Sequence, residues 1–70
     1  MNSPEITMLK NAGLNVRHRP KSGEIRIVNP VTGHWLITDA TDEYFEDLAN
    51  ECARDFEAYW QVHIGQHIEA

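Results

Sequence analysis

Cysteine occurs once in these 70 residues, as Cys52, so no internal disulfide can staple the fold, and an intracellular, cytoplasmic residence is the expectation. No apolar run approaches the roughly 20 residues needed to cross a bilayer, and no charged-then-apolar leader is present, so neither a membrane nor a secretory role is expected. Glycine-rich phosphate loops are missing, and no serine is set by pattern beside a histidine and an acid. An enzyme is therefore not expected, and no cofactor is called for. Internal repeats, linkers and low-complexity tracts are absent too. What remains is one small α+β domain over residues 1–70, near the size at which a single core can hold without staples.

Cations are scarce in one half. Residues 39–70 carry nine acids against Arg54 alone, a balance of −8, whereas residues 1–38 carry Lys10, Arg17, Arg19, Lys21 and Arg26 against Glu5 and Glu24, a balance of +3. An asymmetry of this kind is a statement about partners rather than fold.

What is there reads as helix, strand, strand, strand, helix. Ser3-Pro4-Glu5 is a compact helix start: a hydroxyl to cap free amides, a proline suited to the first helical position, and an acid facing the positive end of the dipole. The helix runs over Pro4 to Ala12, and Gly13 is placed to end it in the left-handed conformation with Leu14 folding back on Leu9. From Leu14 the period changes to two, with Leu14, Val16 and His18 on the apolar side and Asn15, Arg17 and Arg19 opposite. A turn over Pro20 to Gly23 leads to a second strand, Glu24 to Asn29, with Ile25 and Ile27 inward. Asn29-Pro30-Val31-Thr32-Gly33 is a second turn, and His34 to Thr38 a third strand whose inward residues are expected to be Trp35 and Ile37, with Leu36 competing for that side. Such a three-stranded antiparallel sheet needs its apolar face covered by the two helices.

The second helix is the element around which the chain is organised. From Asp42 to about Ile64, with Asp39 or Thr41 as cap, a step of 100° per residue gathers Phe45, Leu48, Ala49, Cys52, Ala53, Phe56, Tyr59, Trp60 and His63 on one stripe. Glu43, Glu46, Asp47, Glu51 and Glu57 point away. A straight helix of this length spans roughly 34 Å against roughly 17 to 20 Å for the strands. It is therefore expected to overhang the sheet and to leave Tyr59, Trp60, Val62, Ile64 and Ile68 beyond it, either as a core closed by the first helix or as a partner or self-association surface.

Three further groups carry candidate chemistry. Arg17, Arg19, Lys21 and Arg26 can track phosphates on an open sheet face; the alternative is an ordinary solvated face, favoured by the absence of an interleaved aromatic residue. His63 and His67 stand at the i, i+4 spacing that can bring two imidazoles to one zinc, but no glutamate lies where a zinc-protease helix requires it and Gly65 intervenes, so a metal site is not expected. The acidic helix face is either a solvated surface or a decoy for a basic groove.

Within Ile6 to Thr38 the run MLKNAGLNVRHRPKSGEIRIVNPVTGHWLIT, from Met8 on, resembles the HicA-type mRNA interferase toxins, over about half the chain. The likeness rests on a leucine-bearing first helix ending in Ala12-Gly13, a basic first strand, and Ser22-Gly23 before the second. It implies a small double-stranded-RNA-binding-like fold. Where those toxins carry a catalytic histidine just after the glycine, this chain has Glu24-Ile25-Arg26, so their ribonuclease activity is not implied. In size and acidic character the chain is also similar to small phage and prophage accessory proteins, the anti-CRISPR proteins among them.

The leading expectation is thus a phage-encoded, non-enzymatic inhibitor that binds a larger host protein or nucleoprotein complex through Glu43, Glu46, Asp47, Glu51, Tyr59, Trp60 and Ile64. The alternatives are a nucleic-acid-binding module using Arg17, Arg19 and Arg26, and a homodimeric structural module closed through the Tyr59 to Ile68 region.

Overall fold

The computed structural model describes residues 3–63, and its elements follow in the expected order: α1 (Pro4–Asn11), β1 (Asn15–Arg19), β2 (Glu24–Val28), β3 (Trp35–Asp39) and α2 (Phe45–His63). The three strands are antiparallel in the order β1-β2-β3, and both helices pack over one face of the open sheet, giving an α+β fold.

Local chemistry explains α1 closely. The Ser3 hydroxyl accepts the Ile6 N–H at 3.1 Å with Pro4 in the first turn. At the other end the Leu14 N–H donates to Leu9 O at 3.2 Å and the Gly13 N–H to Lys10 O at 3.0 Å. That pair of bonds, with Gly13 at φ +90°, is the Schellman stop. Leu14 is thereby buried beside Leu9 before β1 begins.

The core joins Ile6 and Leu9 of α1, Leu14, Ile25 and Ile27 of β2, Leu36 of β3, and Phe45, Ala49, Cys52 and Phe56 of α2. Leu9, Ile25 and Ile27 are closed off completely, each contributing roughly 1.5–3 kcal/mol of transfer free energy. Cys52 is buried with them, and desolvation, aided by the neighbouring Glu51 charge, pushes its thiol up to about 12. It behaves as a small hydrophobe.

In two places the chain departs from its sequence pattern. The first is β3, where Leu36 faces the core at 3 % exposure while Trp35 (53 %) and Ile37 (45 %) lie on the outer side. The cause is register: Val28 pairs with Trp35, Ile27 with Leu36 and Arg26 with Ile37, and directly opposed residues share a face. The same logic sets His18 across from Ile25 on the covered side, yet its ring is exposed at the sheet edge.

The second departure is α2, which is not one rod. Residues 42–44 form a turn in which the Asp42 carboxylate accepts the Tyr44 N–H at 2.7 Å, and the helix starts at Phe45, whereas Asp39 and Thr41 bond to each other instead of capping it. At Asp55 the backbone is extended, φ −160° and ψ 89°, so the ladder breaks and the helix consists of residues 45–54 and 56–63. The Asp55 carboxylate accepts the Ala58 N–H at 3.2 Å, the capping bond of a new helix start. The expected continuous rod is thereby corrected to two segments.

Candidate functional site

The break at Asp55 resets the helical phase, and Glu57, expected to point into solvent, instead reaches the β2–β3 connection. Its Oε2 accepts the Asn29 side-chain amide at 2.9 Å and the Thr32 hydroxyl at 2.8 Å, while His34 Nδ1 lies 2.7 Å from Oε1. Three donors from one turn thus converge on one carboxylate. Partial burial pushes the Glu57 carboxyl upward, but the bonds from Thr32, His34 and Asn29, with the charge of His34, outweigh it and hold it below the usual carboxylate range. One helical turn on, the Trp60 indole stacks on the His34 ring at 3.9 Å and 3°.

Trp60 Nε1–H donates to the Trp35 carbonyl at 3.0 Å. Because the Asn29 N–H bonds to His34 O, ladder alternation turns the Trp35 carbonyl away from β2 toward the free edge. Trp60 therefore satisfies an edge group of β3. It is half-buried and engaged within the monomer, as is Tyr59, whose ring stacks on His63 at 4.1 Å. Of the two readings of this end, a core or a partner surface, Trp60 takes neither in full: it is half-buried and serves the fold through β3. Ile64, Ile68 and His67 lie outside the described residues, so the expected self-association end and histidine pair do as well. Among the described residues no group of three His, Cys, Asp or Glu side chains is placed to hold a metal ion, and no helix is long and apolar enough to cross a membrane.

Two surfaces remain without partners inside the described fold. The first is the acidic side of α2. Glu46, Asp47 and Glu51 on the helix and Glu43 in the turn before it are all exposed, and among the described residues only Glu51 has a cation within 4 Å, Arg54, at 3.2 Å. Asp42, Tyr44, Asp47, Glu51, Tyr59 and His63 border an open groove of about 550 Å³ along this side. Tyr44, which sequence periodicity did not single out, is 65 % exposed there.

The second surface is the outer face of the sheet. Asn15, Val28 and Trp35 form one row across the strands, Arg17, Arg26 and Ile37 the next, and Arg19, Glu24 and Asp39 the third. The Arg26 guanidinium lies over the Trp35 ring, 5.6 Å from its centroid. With Trp35 expected inward, no aromatic residue stands among these cations; the observed register supplies one. Arg17, Arg19, Glu24 and Arg26 border a hollow of about 290 Å³. Lys21 lies outside this group, in the β1–β2 turn.

No protein-family model, no curated protein and no solved structure matches this chain.

Proposed function

We propose that this chain is a non-enzymatic binding protein that docks on a larger nucleic-acid-handling host protein, presenting α2 as an acidic decoy to a basic groove there. The observation that supports this reading is the acidic side of α2 and of the turn that leads into it: Glu43, Glu46 and Asp47 are exposed with no cation within 4 Å among the described residues. The open Tyr44 ring and the half-buried Tyr59 border the groove beside them. Carboxylates repeated along a helix steer a basic partner into encounter, and tyrosine supplies contact area at low entropic cost. In its specific form the proposal is an inhibitor of the phage anti-CRISPR kind acting in the bacterial cytoplasm, in keeping with the size and acidity of the chain.

The experiment is capture from nuclease-treated bacterial lysate, followed by reconstitution with the purified captured protein. Wild type is compared with Glu46→Lys/Glu51→Lys and with Tyr44→Ala. A nucleic-acid-handling protein that is retained by wild type and lost with the charge reversal is the expected result. Equal retention by all three removes α2 as the docking face.

A further inference from the structure

The outer sheet face has an energetic oddity. Arg17 and Arg26 are directly opposed on β1 and β2, and like charges in that relation destabilise a sheet. Neither has a carboxylate within 4 Å among the described residues, because Glu24, the acid nearest in the ladder, takes Arg19 at 3.5 Å. This occurs in a chain of net charge −5, where acids are plentiful, and those acids are concentrated on α2 rather than beside these arginines. The fold therefore leaves two neighbouring cations without a carboxylate partner at the border of the hollow on this face.

Beside that hollow, Trp35 keeps half its surface open with Arg26 at its ring and Val28 and Ile37 flanking it. A cation pair next to an exposed indole is the combination that takes a phosphate with the base attached to it: the guanidinium groups neutralise the former and the ring stacks on the latter.

We infer that the outer face of β1, β2 and β3 is a seat for single-stranded nucleic acid, in which Arg17 and Arg26 hold a phosphate and Trp35 stacks on an adjacent base. A duplex keeps its base faces stacked inside and offers Trp35 nothing comparable, which selects the single strand. Strands of five residues span roughly 17 Å, so the footprint is a few nucleotides. The acids of α2 belong to the opposite side of the sheet and confine the strand to this face. The inference is independent of the docking role proposed for α2, since the two surfaces share no residue.

Fluorescence anisotropy of a labelled octa-uridylate at low salt tests it, with wild type, Arg17→Ala, Arg26→Ala, Trp35→Ala and Glu46→Lys. All four side chains are exposed, and circular dichroism is the check that each variant folds. Affinity is expected to fall about fivefold or more with Trp35→Ala. Each arginine variant should also make the salt dependence shallower by about 0.7 in log–log slope. Glu46→Lys should not weaken binding. No binding at low salt overturns the inference, as does equal binding by wild type and the three sheet-face variants. Equal affinity for a duplex of the same length, or for an oligo-glutamate peptide of the same charge, also overturns it and reassigns the face to polyanions in general or to acidic protein.

Discussion

His34 and Glu57, 23 residues apart in the chain, meet at 2.7 Å. Through that contact, joined by Asn29 and Thr32, the β2–β3 turn holds the second segment of α2 in place.

The Glu57 carboxyl is held below its usual value, so its contribution to stability is present in full above the pKa it has when unfolded and is lost as pH falls through the lower folded value. Thermal melts of wild type and Glu57→Gln across pH 3 to 7 should show the full difference above about 4.5 and a gap that narrows progressively as pH falls below it. A gap of constant size down to the lowest pH would show that the charge of Glu57 contributes nothing.

Asp55→Ala separates a helix interior from a helix start. Alanine is the better helix former, so in an unbroken helix it would stabilise by a few tenths of a kcal/mol. Here it removes the acceptor of the Ala58 N–H, and the expected outcome is a loss of about 0.5–2 kcal/mol in urea unfolding. A gain in stability would sink the two-segment description.

Gly23 has φ +81°, and a Cβ there would stand 2.8 Å from Asp39 Oδ1 and 3.3 Å from Thr41 Cγ2. Gly33, at φ +83°, has nothing within 4 Å. Both alanine variants bear the left-handed cost of about 1 kcal/mol, and Gly23→Ala should lose a further 1 kcal/mol or so through the displaced Asp39 side chain. Equal midpoints for the two would mean that Asp39 yields freely.

With its thiol buried and raised to about 12, Cys52 should react with a thiol-specific disulfide reagent at neutral pH only through unfolding. Labelling is expected to be slow in buffer and fast in denaturant. Rapid labelling of the native protein would place Cys52 at the surface.

The element order was legible because the signals for it are local: the Ser3 and Pro4 start, the Gly13 stop and the period-two strands each act over a few residues. The break in α2 was not, because an aspartate in an amphipathic run reads as one more exposed acid until its backbone is seen. The reason for a new start at that point is distant too, because the turn that Glu57 serves lies more than 20 residues away. The face of Trp35 was within reach. Ile25 and Ile27 fix Val28 as outward, and the turn that closes Asn29 onto His34 pairs Val28 with Trp35, so counting across the turn places the indole beside Arg26. Three adjacent apolar residues, Trp35, Leu36 and Ile37, hid the alternation that would otherwise have shown it. Of the acids that helical spacing sets outward, Glu46, Asp47 and Glu51 are exposed on α2, Glu43 lies in the turn before it, and Glu57 reaches the β2–β3 turn instead. Tyr44 escaped notice because it precedes the helix and follows the Asp42 turn.

The interruption at Asp55 also governs how the domain comes apart. Fraying that enters a continuous helix from its end runs along the ladder without a stop, whereas here it meets a junction before it reaches Cys52 and Ala49. Hydrogen exchange should accordingly show residues 56–63 opening as a unit at lower free energy than residues 45–54, with Phe56 drawn out of the core as they detach while Ala49 and Cys52 stay covered.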